Sequence, residues 1–218
     1  MLVIVTNHWK EDLNWLKKSK FEVVVIDKEG CDPSDFTPQH IVPNKGHAIP
    51  SWFKYIIENY DNLPDHVAFI HGHEDSNHHG HTRPLLEVIE HANVEKYGFI
   101  SLNNYFKTYP FMNETGFAKI ADYWDKFEFP MKQPPYGAMM VMTPAAQFIV
   151  ARDRIKAHPK ELYQKWYDMI CESDDEYIPH NFEPIWHIFF GEYYECPAPL
   201  DWFSFPHEQH WHVMQFVK

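Results

Sequence analysis

The sequence predicts a single α/β domain with a mostly parallel, twisted sheet that is flanked by helices. Short apolar runs rich in β-branched residues alternate with helical patterns over the first hundred residues, which is typical of strand–helix units. The length of 218 residues fits one domain, since a domain holds roughly 150 residues on average. The hydrophobic fraction of 44% and the charged fraction of 23% are those of an ordinary globular protein.

Four of the five predicted strands lie in the first half of the chain. Each is a short apolar run, as expected of strands that are buried on both faces: residues 2–6, 22–26, 67–70 and 97–102. The clearest helix begins at Pro50, because apolar residues at helical spacing form one stripe there: Phe53, Ile56, Ile57 and Tyr60. Shorter helices are predicted for residues 12–18 and 84–91.

The second half is less regular, with an aromatic and proline-rich stretch at its start. A fifth strand is predicted for residues 137–142. Helices are predicted for residues 116–127, 144–155, 159–170 and 183–190.

Charge and composition exclude several classes of protein. The net charge of −12 argues against nucleic-acid binding, which requires a surplus of Lys and Arg. No apolar run reaches the roughly 18 residues that span a bilayer, and the first residues do not form a signal peptide. Three widely spaced cysteines favour a reducing compartment. We therefore expect a cytoplasmic protein without a membrane span.

The densest polar cluster, residues 71–81, follows the predicted strand 67–70 and holds five of the 16 histidines. Glu74 and Asp75 lie among them. Carboxylates are hard oxygen ligands and imidazoles suit Mn, Zn or Fe, and ligands of parallel sheets bind at the carboxyl ends of the strands. The cluster therefore predicts a metal or substrate site, with a solvated, histidine-rich loop as the alternative.

Two further clusters lie at the same edge of the predicted sheet. Asn44, Lys45 and Gly46 precede the helix that begins at Pro50 and could bind a diphosphate there, although such a glycine also serves simple turns. Three residues follow the first strand, where nucleotide-binding α/β folds hold the base or ribose: Asn7, His8 and Trp9.

Late histidines offer additional metal ligands. His187 lies on a predicted helix, where it is either a buried core residue or a ligand that reaches the loop site. His210 and His212 would point the same way in an extended tail, although a packed aromatic tail explains them equally well.

The run PNKGHAIPSWFKYIIENYDNLPDHVAFIHGHEDSNHH resembles the signature of an uncharacterised family of fungal and large-DNA-virus proteins. Two later stretches are similar to further blocks of that family: residues 147–155, with Pro159 and Tyr163, and residues 186–191. The order of parts also resembles small glycosyltransferases of the GT-A type, such as those of chloroviruses.

The resemblance to the GT-A type implies a nucleotide-binding half at residues 1–102 and an acceptor-side half with the C-terminal tail at residues 103–218. In that fold, an acidic motif at a strand end binds Mn²⁺ or Mg²⁺ under a nucleotide diphosphate, and a late histidine completes the shell. The implied metal ligands here are Glu74, Asp75, His187 and His210. The implied donor-binding residues are Asn7, His8, Trp9, Asn44, Lys45, Gly46 and His73.

The expected function is therefore metal-dependent transfer of a sugar, with a UDP-sugar favoured, to a glycan or a protein-linked acceptor. Asp75 and Glu183 are the candidate catalytic residues, with Glu114, Asp122 and Asp125 as further candidates for the base. A His/carboxylate metallohydrolase and a non-catalytic carbohydrate-binding module are the alternatives.

Overall fold

The computed structural model describes residues 1–75, 83–103, 105–111, 120–142, 146–175, 177–195, 201–205 and 215–216. The strands are β1 (Leu2–His8), β2 (Glu22–Lys28), β3 (His40–Val42), β4 (His66–Ile70), β5 (Phe99–Ser101), β6 (Tyr105–Pro110), β7 (Met139–Met142), β8 (Phe148–Ala151) and β9 (Gln215–Phe216). The helices are α1 (Ile49–Asn59), α2 (Leu85–Glu90), α3 (Ile120–Lys126), α4 (Arg152–Lys156), α5 (Lys160–Glu172), α6 (Tyr177–Phe182) and α7 (Trp186–Phe189), with short 3-10 helices at Asn14–Lys18 and Tyr60–Asn62.

A mixed six-stranded sheet in the order β3-β2-β1-β4-β8-β5 forms the centre of the protein. β1 pairs in parallel with β2 and β4, and β2 pairs in parallel with β3. β8 is antiparallel to both β4 and β5, so β5 runs in the same direction as β4. The predicted α/β class with flanking helices is confirmed. The sheet, which was predicted to be mostly parallel, is mixed, because β8 runs opposite to its other five strands.

Apolar side chains alternate between the two faces of the sheet, because successive strand residues point to opposite sides. Val3 and Val5 face a large aromatic core that includes Trp52 of α1 and Trp166 of α5. Ile4 faces a second, smaller core. Residues of α2 and of the 3-10 helix at Asn14–Lys18 complete that core: Leu85, Val88, Ile89, Trp15 and Leu16. Helices therefore cover both faces, which explains why the parallel strands are apolar throughout.

The helix predicted for residues 144–155 is wrong, because the chain forms β8 there and then the short helix α4. Phe148 and Val150 point into the large core and Ile149 into the smaller one. The backbone of β8 bonds to β4 on one side and β5 on the other. Pairing with one strand on each side makes this segment a strand, and the sequence of the segment does not show those partners.

Two other elements differ from the sequence prediction. Of the helix predicted for residues 183–190, only residues 186–189 are helical (α7), because residues 183–185 form the turn that follows α6. A second, three-stranded sheet has the order β7-β6-β9. Its strand β7 confirms the strand predicted for residues 137–142, whereas β6, in the proline-rich middle, was not predicted. Helices α3 and α5 lie within or close to their predicted positions. None of the helices in the described ranges has the length and apolar character that crossing a bilayer requires.

Candidate functional site

The strand order reverses direction between β1 and β4. From β1 the chain adds β2 and then β3 on one side, and it returns through α1 to add β4 on the other side of β1. In open α/β sheets, ligands bind in the crevice that such a reversal leaves outside the carboxyl ends of the strands. Thr6 pairs with Ile70, so Asn7, which still pairs with β2, lies beside His71, the first residue after β4. Residues 7–12 and 71–75 therefore flank the position where this rule places a ligand. We call this position the switch-point crevice and the two segments its walls.

The wall after β4 is fixed by contacts at its first residues. The backbone N–H of His71 donates to Gln147 Oε1 over 3.1 Å, and its ring stacks on Trp52 with a centroid distance of 6.1 Å and an interplanar angle of 10°. Trp15 Nε1 donates to the carbonyl of Gly72 over 2.9 Å. A Cβ at Gly72 would lie 2.9 Å from the Asn7 carbonyl oxygen, so only glycine lets the two walls approach this closely.

The wall after β1 carries a carboxylate in a fixed position. Glu11 Oε2 accepts the backbone N–H of Trp9 over 2.7 Å and that of Lys10 over 3.0 Å. Burial lowers the pKa of His73, and the negative charge of Glu11 acts in the opposite direction. The carboxylate of Glu11 therefore lies near enough to His73 for its charge to act on the imidazole.

Two buried polar atoms beside this crevice have no hydrogen-bond partner among the described residues: Asn7 Oδ1 and Trp52 Nε1. Buried polar atoms are paired in the great majority of cases. An acceptor and a donor left open next to a crevice indicate a place where a ligand or ordered water binds.

A second polar group lies one strand away, at the carboxyl ends of β1 and β2. His8 Nδ1 lies 3.0 Å from Asp27 Oδ1, and Cys31 follows in the turn after β2. Burial raises the pKa of the Cys31 thiol, as do its hydrogen bond to Asp27 and the negative charge there. Sequence reasoning missed Asp27 and Cys31. Asp27 directly follows the apolar run of residues 22–26, just as Asn7 follows the run of residues 2–6. This position at a strand end was the signal that could have identified it.

The predicted donor-binding residues separate into two places. Asn7, His8, Trp9 and His73 lie at the carboxyl ends of β1 and β4. Residues 44–46 follow β3, two strands from β1 and therefore about 10 Å away. They do not form part of the switch-point crevice, because register and strand order place them at the outer edge of the sheet.

The turn at residues 44–46 is occupied by structural contacts. Lys45 Nζ pairs with Asp174 Oδ1 over 3.0 Å, and the buried Lys28 ammonium donates to the Lys45 carbonyl over 2.8 Å. Burial lowers the pKa of Lys28 to about 8. Gly46 has φ +63, and a Cβ there would lie 2.3 Å from Ile170 Cγ2. The turn therefore packs against α5, and the diphosphate site proposed for it stays a prediction.

The predicted metal ligands are not brought together as one set. Glu74 is half-buried and Asp75 is exposed in the wall after β4, whereas His187 is 7% exposed on α7. Burial lowers the pKa of His187 to about 4, and it bonds to the backbone of Tyr194. Apolar packing of α7 against the large core accounts for this burial. In the parts of the chain that the structure describes, no group of three close ligand atoms includes Glu74, Asp75 or His187.

Two further predicted residues are placed differently. Glu183 lies half-buried in the turn between α6 and α7. His210 and Glu114 lie outside the described residues.

The fold and site define an α/β protein with a polar, carboxylate- and histidine-lined crevice at the reversal of its strand order. The chain belongs to the family described as Protein of unknown function (DUF3431), whose model matches residues 3–204. No curated protein matches the chain. The matched range includes both walls of the crevice and His187, and it ends before His210.

Proposed function

We propose that the protein is a metal-dependent glycosyltransferase, which moves a sugar from a nucleotide-diphosphate sugar, with a UDP-sugar favoured, to a glycan or a protein-linked acceptor. One observation carries the proposal. The only adjacent pair of carboxylates in the wall after β4, Glu74 and Asp75, emerges at the point where the strand order reverses. This is the place where open α/β sheets bind nucleotides.

Charge supports a role for a divalent cation. Residues 7–12 and 71–75 contain four carboxylates and one lysine, and the whole chain has a net charge of −12. Such walls repel a diphosphate unless a cation lies between them. Glu74 and Asp75 supply the hard oxygen ligands that Mn²⁺ and Mg²⁺ prefer. When bound, the cation would neutralise charge on the leaving diphosphate.

The remaining groups of the crevice suit recognition of the nucleotide. Asn7 Oδ1 is a buried acceptor with no partner among the described residues, and a uracil ring offers an N–H donor of matching kind. The stack of His71 on Trp52 and the hydrogen bond from Trp15 to Gly72 hold the wall after β4 in place before a ligand binds. This wall, residues 71–75, is called the acidic wall below. Preorganised groups of this kind reduce the entropic cost of binding.

Calorimetry with UDP tests the proposal. We expect UDP to bind in excess Mn²⁺ and to lose at least tenfold in affinity when the cation is chelated. Asp75→Asn should lose the Mn²⁺-dependent part of binding, because it removes a ligand charge without changing side-chain size. Asp61→Asn is the matched control, since it removes an exposed carboxylate in the 3-10 helix Tyr60–Asn62, which precedes β4 in the chain.

Several results would contradict the proposal. If the UDP affinity does not depend on Mn²⁺, or if Asp61→Asn lowers the UDP affinity as much as Asp75→Asn does, the acidic wall does not bind a catalytic cation. Release of free sugar without transfer to any acceptor favours a metallohydrolase. Binding of glycans that Asp75→Asn leaves unchanged favours a non-catalytic module.

A further inference from the structure

The carboxyl ends of β1 and β2 bring together three different kinds of ligand atom. His8, Asp27 and Cys31 each offer one atom, and the three atoms lie within 4.8 Å of one another. A nitrogen, an oxygen and a sulfur in one place form a donor set that differs from the purely carboxylate pair of the acidic wall. Thiolate and imidazole ligands favour zinc and related borderline cations, whereas Mn²⁺ and Mg²⁺ prefer oxygen.

The backbone holds these residues in place without help from the side chains. The parallel register pairs His8 with Asp27. Cys31 is returned towards β1 by a turn in which its N–H donates to the Lys28 carbonyl over 3.0 Å. The next residue bonds back to the first loop, from Asp32 N to the Trp9 carbonyl over 2.8 Å.

Burial makes the group unlike a chance cluster on the surface. The His8 side chain is 1% exposed and that of Asp27 is 14% exposed. Two polar side chains of opposite type in such a place require a partner for each of their polar atoms. His8 Nε2 has no hydrogen-bond partner among the described residues, so the imidazole retains one unused ligand atom in addition to the atom that faces Asp27.

We propose that His8, Asp27 and Cys31 bind one zinc-type divalent cation that is separate from the cation of the acidic wall. Ligand atoms around tetrahedral zinc lie about 2.0–2.3 Å from the metal, and therefore about 3.3–3.7 Å from one another. The observed separations bracket this range, from 3.0 Å between His8 Nδ1 and Asp27 Oδ1 to at most 4.8 Å within the group. Three protein ligands leave a fourth position for water or for a group of a bound ligand. The cation joins the turn after β2 to the crevice wall after β1.

Cobalt substitution tests this site directly. The full-length, reduced and metal-stripped protein is titrated with Co²⁺, which adopts zinc geometries and gives a thiolate-to-metal charge-transfer band when sulfur is a ligand. We expect this band to reach its maximum at one equivalent and to disappear when Zn²⁺ is added. Cys31→Ser should abolish the band, and Asp27→Asn should weaken Co²⁺ binding at least tenfold. Cys171→Ser is the matched control, since Cys171 is a free cysteine on α5. The Co²⁺ charge-transfer band of this variant should equal that of the wild type.

A second measurement uses the unaltered protein, so that misfolding of a variant does not decide the result. Zn²⁺ should slow alkylation of Cys31 at least tenfold, as followed by mass spectrometry of its peptide, and leave the alkylation rate of Cys171 unchanged. Neither readout involves UDP. A missing charge-transfer band, a band that persists in Cys31→Ser, or equal alkylation of Cys31 with and without Zn²⁺ overturns the proposal and leaves a hydrogen-bonded His–Asp–Cys group.

Discussion

His187 gives the folded protein a sensitivity to acid that its replacement by asparagine should remove. The side chain is buried on α7, and burial lowers its pKa to about 4, whereas an unfolded chain has a histidine pKa near 6.5. Between these values, the unfolded chain binds a proton that the folded protein does not. The free energy of unfolding therefore falls as the pH decreases from about 6.5 towards 4, and the contribution of His187 is fully present above that window.

The size of the effect follows from the two pKa values. Each unit of difference corresponds to about 1.4 kcal/mol, so the full loss is about 3 kcal/mol once the pH is below the folded value. Between pH 7 and pH 5 the expected loss from this one group is about 2 kcal/mol. That is a large share of the ~5–15 kcal/mol by which most domains are stable.

Urea unfolding at pH 7, 6 and 5 measures this loss, with tryptophan fluorescence and circular dichroism as probes. His187→Asn keeps a polar side chain that can bond to the Tyr194 backbone but has no titrating group. We expect the variant to be less stable at pH 7, because a buried ring is lost, yet to lose about 2 kcal/mol less than the wild type between pH 7 and pH 5. The other histidines are present in both proteins, so their contributions to the pH dependence of the unfolding free energy cancel in the comparison. Equal losses in the two proteins would refute the assignment.

Two further variants test packing at the carboxyl edge. Gly46→Ala should cost about 2–4 kcal/mol in urea unfolding, because its φ of +63 is strained for alanine and the added Cβ meets Ile170 Cγ2 at 2.3 Å. Gly137 also has a positive φ of +82, but a Cβ there would meet nothing within 4 Å, so Gly137→Ala should lower the free energy of unfolding by only about 1 kcal/mol. Equal losses in the two variants would show that the contact with Ile170 is easily relieved. Trp15→Phe removes the hydrogen bond to the Gly72 carbonyl and should cost about 1–3 kcal/mol and speed amide hydrogen exchange in residues 71–75. Unchanged exchange there would show that Trp15 does not hold the acidic wall.

The sequence predicted best those features that depend on neighbouring residues. Four apolar, β-branched runs identified β1, β2, β4 and β5, and one apolar stripe identified α1. The rule for carboxyl ends of parallel strands then indicated where Asn7 and His73 would lie, without knowledge of any contact between them. Such patterns are local, and burial on both faces of a parallel sheet leaves little choice of residue.

Predictions that required a partner far along the chain were less successful. Residues 148–151 fall within the helix predicted for residues 144–155 but pair with β4 and β5. Lys45 looked free to bind an anion, but Asp174 lies beside it, more than a hundred residues away in the chain. The association of His8 with Cys31 depends on a turn, a glycine at residue 30 with φ +75, and the register of two strands together.

By itself, then, the amino-acid order determined the α/β class, the apolar parallel strands and the acidic, histidine-rich segment after β4. Only the tertiary structure decided that β8 lies antiparallel inside the sheet, that His187 on α7 is buried, and that the side chains of His8, Asp27 and Cys31 meet. The physical reason is that hydrophobic periodicity records which face of an element is buried, whereas burial of a given histidine or pairing of a given lysine depends on which distant segment packs against it.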